Sequence, residues 1–89
     1  MILITGSEAT SAAVYATLLE PDTVVTHRFR DGFDGYFFVV HGDAEITTGG
    51  GGGAVDSGGA AKIIGEPQVT VRAGRKGAEA LLVETRASR

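Results

Sequence analysis

The sequence predicts an all-β protein, and three observations lead to that prediction. Short apolar runs rich in Val, Ile, Phe and Tyr alternate with polar residues, at the period of two that half-buried strands show. Clusters of Gly, Pro, Asp and Ser recur about every eight to twelve residues, a spacing typical of sandwiches and barrels. The central stretch, residues 24–42, joins two strongly β-forming runs through a short polar break. We therefore predict about eight or nine short antiparallel strands in a sandwich or barrel.

Length and composition limit the classes of protein that need to be considered. A chain of 89 residues has the size of one domain, so we expect a single domain over residues 1–89. Cysteine is absent, which excludes disulfides and cysteine-ligated metals and leaves a cytoplasmic location as the default. The net charge is −3 with acids and bases interspersed, unlike the basic stripe of nucleic-acid-binding proteins. We also expect neither a membrane span nor a signal peptide, because no long apolar run or basic leader is present.

The first elements are two strands followed by a turn. Residues 2–4 are apolar and β-branched and end at Gly6 and Ser7, which predicts an edge strand. The run AAVYATLL at Ala12–Leu19 alternates at period two, although its good helix formers leave a helix as the rival interpretation. Glu20, Pro21 and Asp22 predict a turn, because proline presets φ and aspartate can bond its own backbone.

The central stretch predicts two strands around a glycine- and aspartate-rich turn. In the first arm, residues 23–30, alternation puts Val25, His27 and Phe29 on one face. The turn DGFDG covers residues 31–35. The second arm, residues 36–41, is apolar on both faces, which is typical of a strand that is buried on both sides or covered by a partner.

The second half of the chain predicts further short strands separated by glycine-rich turns. Gly42 and Asp43 predict a tight turn, and the five consecutive glycines at 49–53 predict a flexible hairpin tip, since they have no side chain to bury. That glycine run lacks the lysine and following helix of a phosphate-binding loop. The remaining strands are expected at 44–48, 54–55, 60–64, 68–73 and 78–85, with a hairpin connection at 74–77 and a polar tail at 86–89.

The order of several sequence runs resembles the cupins, in particular the C-terminal cupin domain of pirin-like and quercetinase-like proteins. The runs that carry the resemblance are AAVYATLLEPDTVVTH, YFFVVHGDAEI, SGGAAKI, EPQVTV and AEALLVET, and they cover roughly residues 10–85. The resemblance favours a strand over a helix at Ala12–Leu19. It implies a small jelly-roll barrel whose mouth could hold a ligand. It also implies that metal and dioxygenase-type activity belong to the N-terminal cupin domain of such proteins, whereas the C-terminal domain usually lacks a complete metal set.

A metal site of the cupin type needs about three histidines and one carboxylate around one point. The chain contains only His27 and His41. By the resemblance, the family's His-x-His region falls near His27 and Phe29, and its glutamate position falls on Gly35. We therefore expect no metal and no cofactor, with His27, His41 and Asp34 as a weak alternative ligand set.

If no bulge intervenes, alternation places His27, Phe37, Val39 and His41 on one face. The candidate pocket therefore consists of His27, Phe29, Phe37 and His41 and would take a small apolar ligand. The simpler interpretation of His27 is a structural histidine that bonds a backbone group or a hydroxyl such as that of Thr26.

We find no catalytic constellation in the sequence. The serines have no histidine and acid at a recognisable spacing. Glu66, Glu79 and Glu84 are interpreted as surface residues of strands or turns.

The outward set of the second arm, Tyr36, Phe38 and Val40, is apolar and predicts an interface. We expect a homodimer that buries part of this face or the edge at residues 2–4. The preferred function is a non-catalytic, metal-free cupin-like domain that acts in assembly or binds a small ligand. The alternatives are a metal-dependent cupin enzyme of dioxygenase or isomerase type, and a protein-interaction module of pirin-like regulatory type.

Overall fold

All elements of the chain are β-strands in the computed structural model, which describes residues 2–3 and 12–86. The seven strands found there are β1 (Ile2–Leu3), β2 (Ala12–Leu19), β3 (Val24–Arg28), β4 (Phe33–Thr48), β5 (Gly51–Asp56), β6 (Ala60–Ile63) and β7 (Gln68–Arg86). The all-β prediction is confirmed, and so is the choice of strand over helix for β2. No helix in this part of the chain is long and apolar enough to cross a membrane.

Two long strands form the centre of the architecture. β4 and β7 pair antiparallel along most of their length. The other edge of β7 pairs with β2 and then with β3, and the other edge of β4 pairs with β6 and then with β5. β1 adds to the outside of β2. Every pairing is antiparallel. Each long strand pairs with the other along one edge and with two successive neighbours along its opposite edge.

The central pair bends where its register shifts. Gly42 lies opposite Ala78, but Ala44 lies opposite Ala73, so residues 74–77 of β7 form a bulge against Asp43. Gly42 and Gly77 both have left-handed φ values, 81° and 78°, which a residue with a Cβ adopts only at a cost. The predicted tight turn at Gly42 and hairpin at 74–77 are therefore wrong. The glycines permit a bulge within continuous strands instead of ending them.

The bend lets the two halves of the sheet pack their inner faces together. One hydrophobic cluster includes side chains from both halves. Its largest fully buried apolar members are Phe37, Leu82, Val39, Val69 and Val71. Burial of apolar surface contributes about 25 cal/mol per Å², so this shared interior is the main source of stability.

Two differences from the sequence expectations concern element boundaries. Nine expected strands become seven because β4 and β7 each run through a glycine-containing segment that was expected to be a turn. Of the five glycines at 49–53, only Gly49 and Gly50 form the turn, whereas Gly51, Gly52 and Gly53 pair with β4. Residue 4 of the expected edge strand and residues 87–89 of the expected tail lie outside the described residues.

Replacing Gly42 by alanine tests the bulge. An added Cβ would lie 2.2 Å from the Gly77 carbonyl oxygen, and the φ of 81° is unfavourable for alanine. We expect Gly42→Ala to lower the free energy of unfolding by about 2 kcal/mol or more in urea denaturation. Gly53→Ala is the matched control, because its Cβ would meet open space, and it should be neutral or slightly stabilising. Equal stability of the two variants would contradict the role of the bulge.

Candidate functional site

The interior contains one buried carboxylate among the described residues, that of Glu84 on β7. Its side chain is 1% exposed, which corrects the expectation of a surface glutamate. The correction has a local reason: Ala80, Leu82 and Glu84 alternate along β7 and share one face, and the first two are core residues. The alternation therefore indicated an inward-facing side chain at position 84. Glu84 was nevertheless assigned to the surface because it is charged.

Small neighbours create the space that Glu84 needs. In the sheet, Glu84 lies between Ala13 of β2 and Gly35 of β4. Neither neighbour projects a long side chain over the carboxylate, and the Phe29 ring occupies the space in front of Gly35. A Cβ on Gly35 would lie 2.5 Å from Cζ of Phe29. Gly35 is thus required by the close approach of an aromatic ring.

Two nitrogen donors hold the carboxylate of Glu84. Nε2 of His27 lies 2.8 Å from Oε1, and Nε of Arg30 lies 2.5 Å from Oε2. His27 comes from β3, which belongs to the other half of the bent sheet. The contact therefore joins the two halves across the interior. The expected partner of His27, a backbone group or a Thr26-type hydroxyl, is replaced by this carboxylate, and Thr26 instead lies near Thr70 on the exposed side.

Arg30 reaches the interior because the strand before it ends. Alternation from Arg28 would place Arg30 on the outer face, but β3 stops at Arg28. Beyond that point the Phe29 amide donates to the Pro67 carbonyl oxygen at 2.9 Å, outside any strand ladder. The chain direction changes there, and Arg30 approaches Glu84 from the side.

Aromatic rings surround the three charged and polar side chains. The His27 ring lies 4.8 Å from the Tyr15 ring and 5.1 Å from the Phe29 ring, between centroids. The Arg30 guanidinium carbon lies 3.9 Å from the centre of the Phe33 ring. These rings exclude water from one side of each donor, which strengthens the hydrogen bonds to Glu84.

The arrangement of Glu84, His27 and Arg30 satisfies a buried charge. An unpaired buried carboxylate would be very unfavourable, and two donors with one formal cation offset that cost. The side chain of Arg30 is 29% exposed and that of His27 is 14% exposed, so water reaches the donors but scarcely reaches Glu84. We name this cluster the Glu84 network.

Three residues of the predicted pocket, His27, Phe29 and Phe37, lie in the interior, but His41 does not join them. Phe29 and Phe37 are packed in the core, and His27 is engaged by Glu84. His41 is 79% exposed and lies 4.0 Å from Glu79, also exposed. The reason is the register shift between Val39 and His41, the bulge whose absence the alternation argument required.

The weak alternative ligand set is also separated. Asp34 accepts a hydrogen bond from the Gly65 amide at 3.0 Å, away from the network of His27 and from exposed His41. Within residues 2–3 and 12–86, no three histidine, aspartate or glutamate side chains form a group that could hold a metal ion.

The interior does not fit the metal centre that the cupin resemblance suggests. At the position of the second histidine stands Phe29, and its ring fills the space in front of Gly35, the family's glutamate position. Nε2 of His27 is used by Glu84, and the other oxygen of Glu84 is used by a guanidinium. A metal ion placed there would be repelled by the Arg30 guanidinium. It would also have to displace the hydrogen bonds that already engage both carboxylate oxygens of Glu84.

The outer face of the half formed by β2, β7, β4 and β6 is apolar along two cross-strand rows. One row contains Val14, Val83 and Tyr36 and ends at Lys62; the next contains Ala16, Leu81, Phe38 and Ala60. Tyr36 is 42% exposed, and Phe38 and Val40 are partly buried. Tyr36 and Phe38 belong to these rows, whereas Val40 lies at the register shift between Val39 and His41. The rows extend the apolar surface over four strands.

Glutamine in place of Glu84 tests the network. Glu84→Gln keeps the shape but removes the charge that both donors face, and we expect it to lower the free energy of unfolding by about 2–3 kcal/mol. His27→Ala should lower it by about 1–2 kcal/mol. Urea denaturation measures both values. Glu45→Gln on β4 is the control, because that side chain is exposed and lies outside the network, and it should change stability by less than about 0.5 kcal/mol. Equal effects of Glu84→Gln and Glu45→Gln would contradict a structural network.

Comparisons with known structures agree with this architecture. A cupin protein from Bacteroides fragilis is 19% identical, with a TM-score of 0.73 over 89% of this chain and 69% of that chain. Bacterial pirin YhhW from Escherichia coli in complex with nickel(II) is 20% identical, with a TM-score of 0.77 over 85% of this chain and 31% of that one. An HTH_3 family transcriptional regulator from Vibrio cholerae is 10% identical, with a TM-score of 0.79 over 93% of this chain and 48% of that one.

At these identities the structural likeness establishes the fold, a cupin jelly roll, and the chain spans less than a third of YhhW. No curated protein matches the sequence. The model of the quercetinase C-terminal cupin domain matches residues 9–85. Because that match covers most of the chain, the protein belongs to the quercetinase C-terminal cupin domain family.

Proposed function

We propose that this chain is a non-catalytic, metal-free cupin domain that acts in assembly as a homodimer. The observation that carries the proposal is the Glu84 network. A cupin with a resident metal needs free donors that converge on one point, but here the carboxylate and the inner histidine bind each other. The interior therefore serves stability, and function moves to the outer surfaces.

The packed interior also limits where a small ligand could bind. Three residues of the predicted pocket are held in the core or by Glu84, and His41 is outside it. A small apolar ligand, if the domain takes one, would bind at the rim of the roll and not between His27 and Phe37. The proposal includes a cytoplasmic location as the default, since a chain without cysteine is compatible with any redox compartment.

The apolar outer face is the support for a homodimer. Its rows extend over four strands, and aromatic residues such as Tyr36 and Phe38 are enriched at interfaces. Charges at its margin fit a second copy: Lys62 ends one row, and exposed Glu79 lies on β7 beyond Leu81. A two-fold axis between these positions would bring Lys62 of each protomer opposite Glu79 of the other.

The similar proteins do not establish an activity for this chain. Nickel(II) is stated for YhhW, a protein more than three times as long as the matched part. The proposal therefore concerns the domain described here, and its two parts, absence of metal and dimerisation, are tested separately.

Elemental analysis tests the metal-free part. Protein purified without a histidine tag should contain well below about 0.1 equivalents of iron, nickel, manganese or zinc, since the donors that would bind them are engaged. Incubation with excess nickel(II) or iron(II), followed by desalting, should leave that content unchanged. One tightly held ion per chain, lost in His27→Ala, would overturn this part of the proposal.

Light scattering coupled to gel filtration tests the dimer. The wild-type chain should give the dimer mass at tens of micromolar, and Tyr36→Asp should shift it to the monomer, because a charge inside an apolar interface loses its solvent. Val24→Asp is the matched control, since Val24 is 55% exposed but lies on β3, away from this face.

The marginal charges provide a second readout. Lys62→Glu should weaken the dimer, and addition of Glu79→Lys in the same chain should restore it, because the pair is exchanged and not lost. A strictly monomeric wild type, or a dimer indifferent to Tyr36→Asp, would refute the proposed interface.

A further inference from the structure

A cleft opens between β5 and β6. Each of these strands forms a ladder with β4, and no ladder joins them to each other within the described residues. The cleft has a volume of about 480 Å³ and is lined by residues of both strands. That volume is within the range of about 300–1,000 Å³ that ligand sites show.

Glycines leave the inner face of β5 bare. Gly51 and Gly53 share a face with Val55, whose side chain is buried. The floor of the cleft beneath these glycines is apolar and includes Ile46 and Ile63, which are 7% and 3% exposed. The cleft therefore exists because two side chains are missing above that floor.

The fold does not require glycine at position 53. A Cβ there would meet nothing within 4 Å, and φ is not in the left-handed region. At Gly52, by contrast, a Cβ would lie 2.1 Å from the Ile46 carbonyl oxygen, so the fold itself demands glycine. A glycine in a strand costs about 0.5–1 kcal/mol relative to alanine. Gly53 thus lowers stability and keeps the cleft open.

The free edge of β5 is a hydrogen-bonding surface. In an antiparallel pair, alternate residues direct their N–H and C=O groups away from the partner strand. Residues 51–55 of β5 line the cleft, and no side chain at Gly51, Gly52 or Gly53 shields their backbone groups. Edge strands of this kind accept an extended peptide as an additional strand.

Charge determines the kind of peptide that fits. The Glu66 carboxylate lies beside Gly50 at one end of β5, and no cationic side chain of the described residues forms an ion pair with it. Asp56 ends the strand on the other side. Antiparallel pairing with β5 of a second copy would bring these acids together, whereas a peptide with basic ends complements them. Among the residues that line the cleft, the charged ones are Lys62, on the β6 side, and Glu66, beside Gly50 at the end of β5.

We propose that the cleft between β5 and β6 binds an extended peptide segment of another protein. The segment adds to the edge of β5, places an apolar side chain over Ile46 and Ile63, and sets a basic group against Glu66. This inference goes beyond the proposed function. The cleft shares β6 with the dimer face, but its test uses Gly53 and Glu66, which lie outside that face, so the two can fail independently.

Synthetic nine-residue peptides test the proposal by NMR titration of the isotope-labelled protein. The probe peptide alternates Val and Thr and carries Lys at both ends. One comparison peptide has Glu in place of Lys, and another is N-methylated at alternate residues so that it cannot complete a ladder. The probe should shift the amide signals of Gly51, Gly52, Gly53 and Val55, and both comparison peptides should bind at least about tenfold more weakly.

Variants of the protein assign the contacts. Gly53→Val fills the cleft without a steric conflict, so it should keep or raise stability and weaken the probe at least about tenfold. Glu66→Gln should weaken it about threefold to tenfold. Glu45→Gln removes an equally negative, exposed side chain of β4 that does not line the cleft, and it should leave the affinity unchanged.

The possible results separate the alternatives. Loss of binding in Gly53→Val and Glu66→Gln, with Glu45→Gln unaffected, would support the proposal. The probe is added up to about 2 mM, which is near the Kd of the weakest specific complexes. The proposal would be overturned if no amide signal of β5 shifted at that concentration. It would also be overturned if hexylamine, a small apolar cation, bound as tightly as the probe, since the cleft would then be a small-molecule site.

Discussion

The pairing of one buried carboxylate is the constraint on which this structure depends. Glu84 lies between the two halves of a bent sheet and is almost inaccessible to water. Its charge has to be satisfied from within, and the donors are His27 of β3, in the opposite half, and Arg30 of the loop between β3 and β4. The small residues Ala13 and Gly35 beside it follow from the same requirement, because larger side chains would displace the donors or Phe29.

The Glu84 network satisfies the buried carboxylate and thereby engages His27, so these groups are occupied by each other. The same roll can place three histidines and a carboxylate around a metal in cupins, but here an aromatic ring and an arginine stand among the corresponding positions. In the function that we propose, the interior contributes stability and the outer surfaces make the contacts with partners. The surfaces that remain are an apolar face over four strands and a bare strand edge. They suit assembly and peptide binding, two functions in which shape and unpaired backbone matter more than reactive groups.

Much of the fold could be predicted from the sequence, whereas the candidate site could not. Period-two alternation located the strands and placed Val25, His27 and Phe29 on one inner face. It also marked Glu84, through Ala80 and Leu82, as inward-facing, although the residue was assigned to the surface. Glycine was the main source of error: Gly42 and Gly77 were interpreted as turns, but they permit a bulge inside long strands. Because one bulge reverses the faces that follow it, His41 left the predicted pocket.

The sequence by itself determined the all-β class, the positions of most strands and the absence of disulfides, because these follow from composition and from interactions between near neighbours. Only the tertiary structure decided that β4 and β7 are continuous, that His27 and Arg30 meet Glu84, and that no second strand among the described residues pairs with the glycine-containing β5. Those contacts join residues 57 and 54 positions apart. Local alternation carries no information about such separations, since they are set by the bend of the sheet and by which side chains leave room for others.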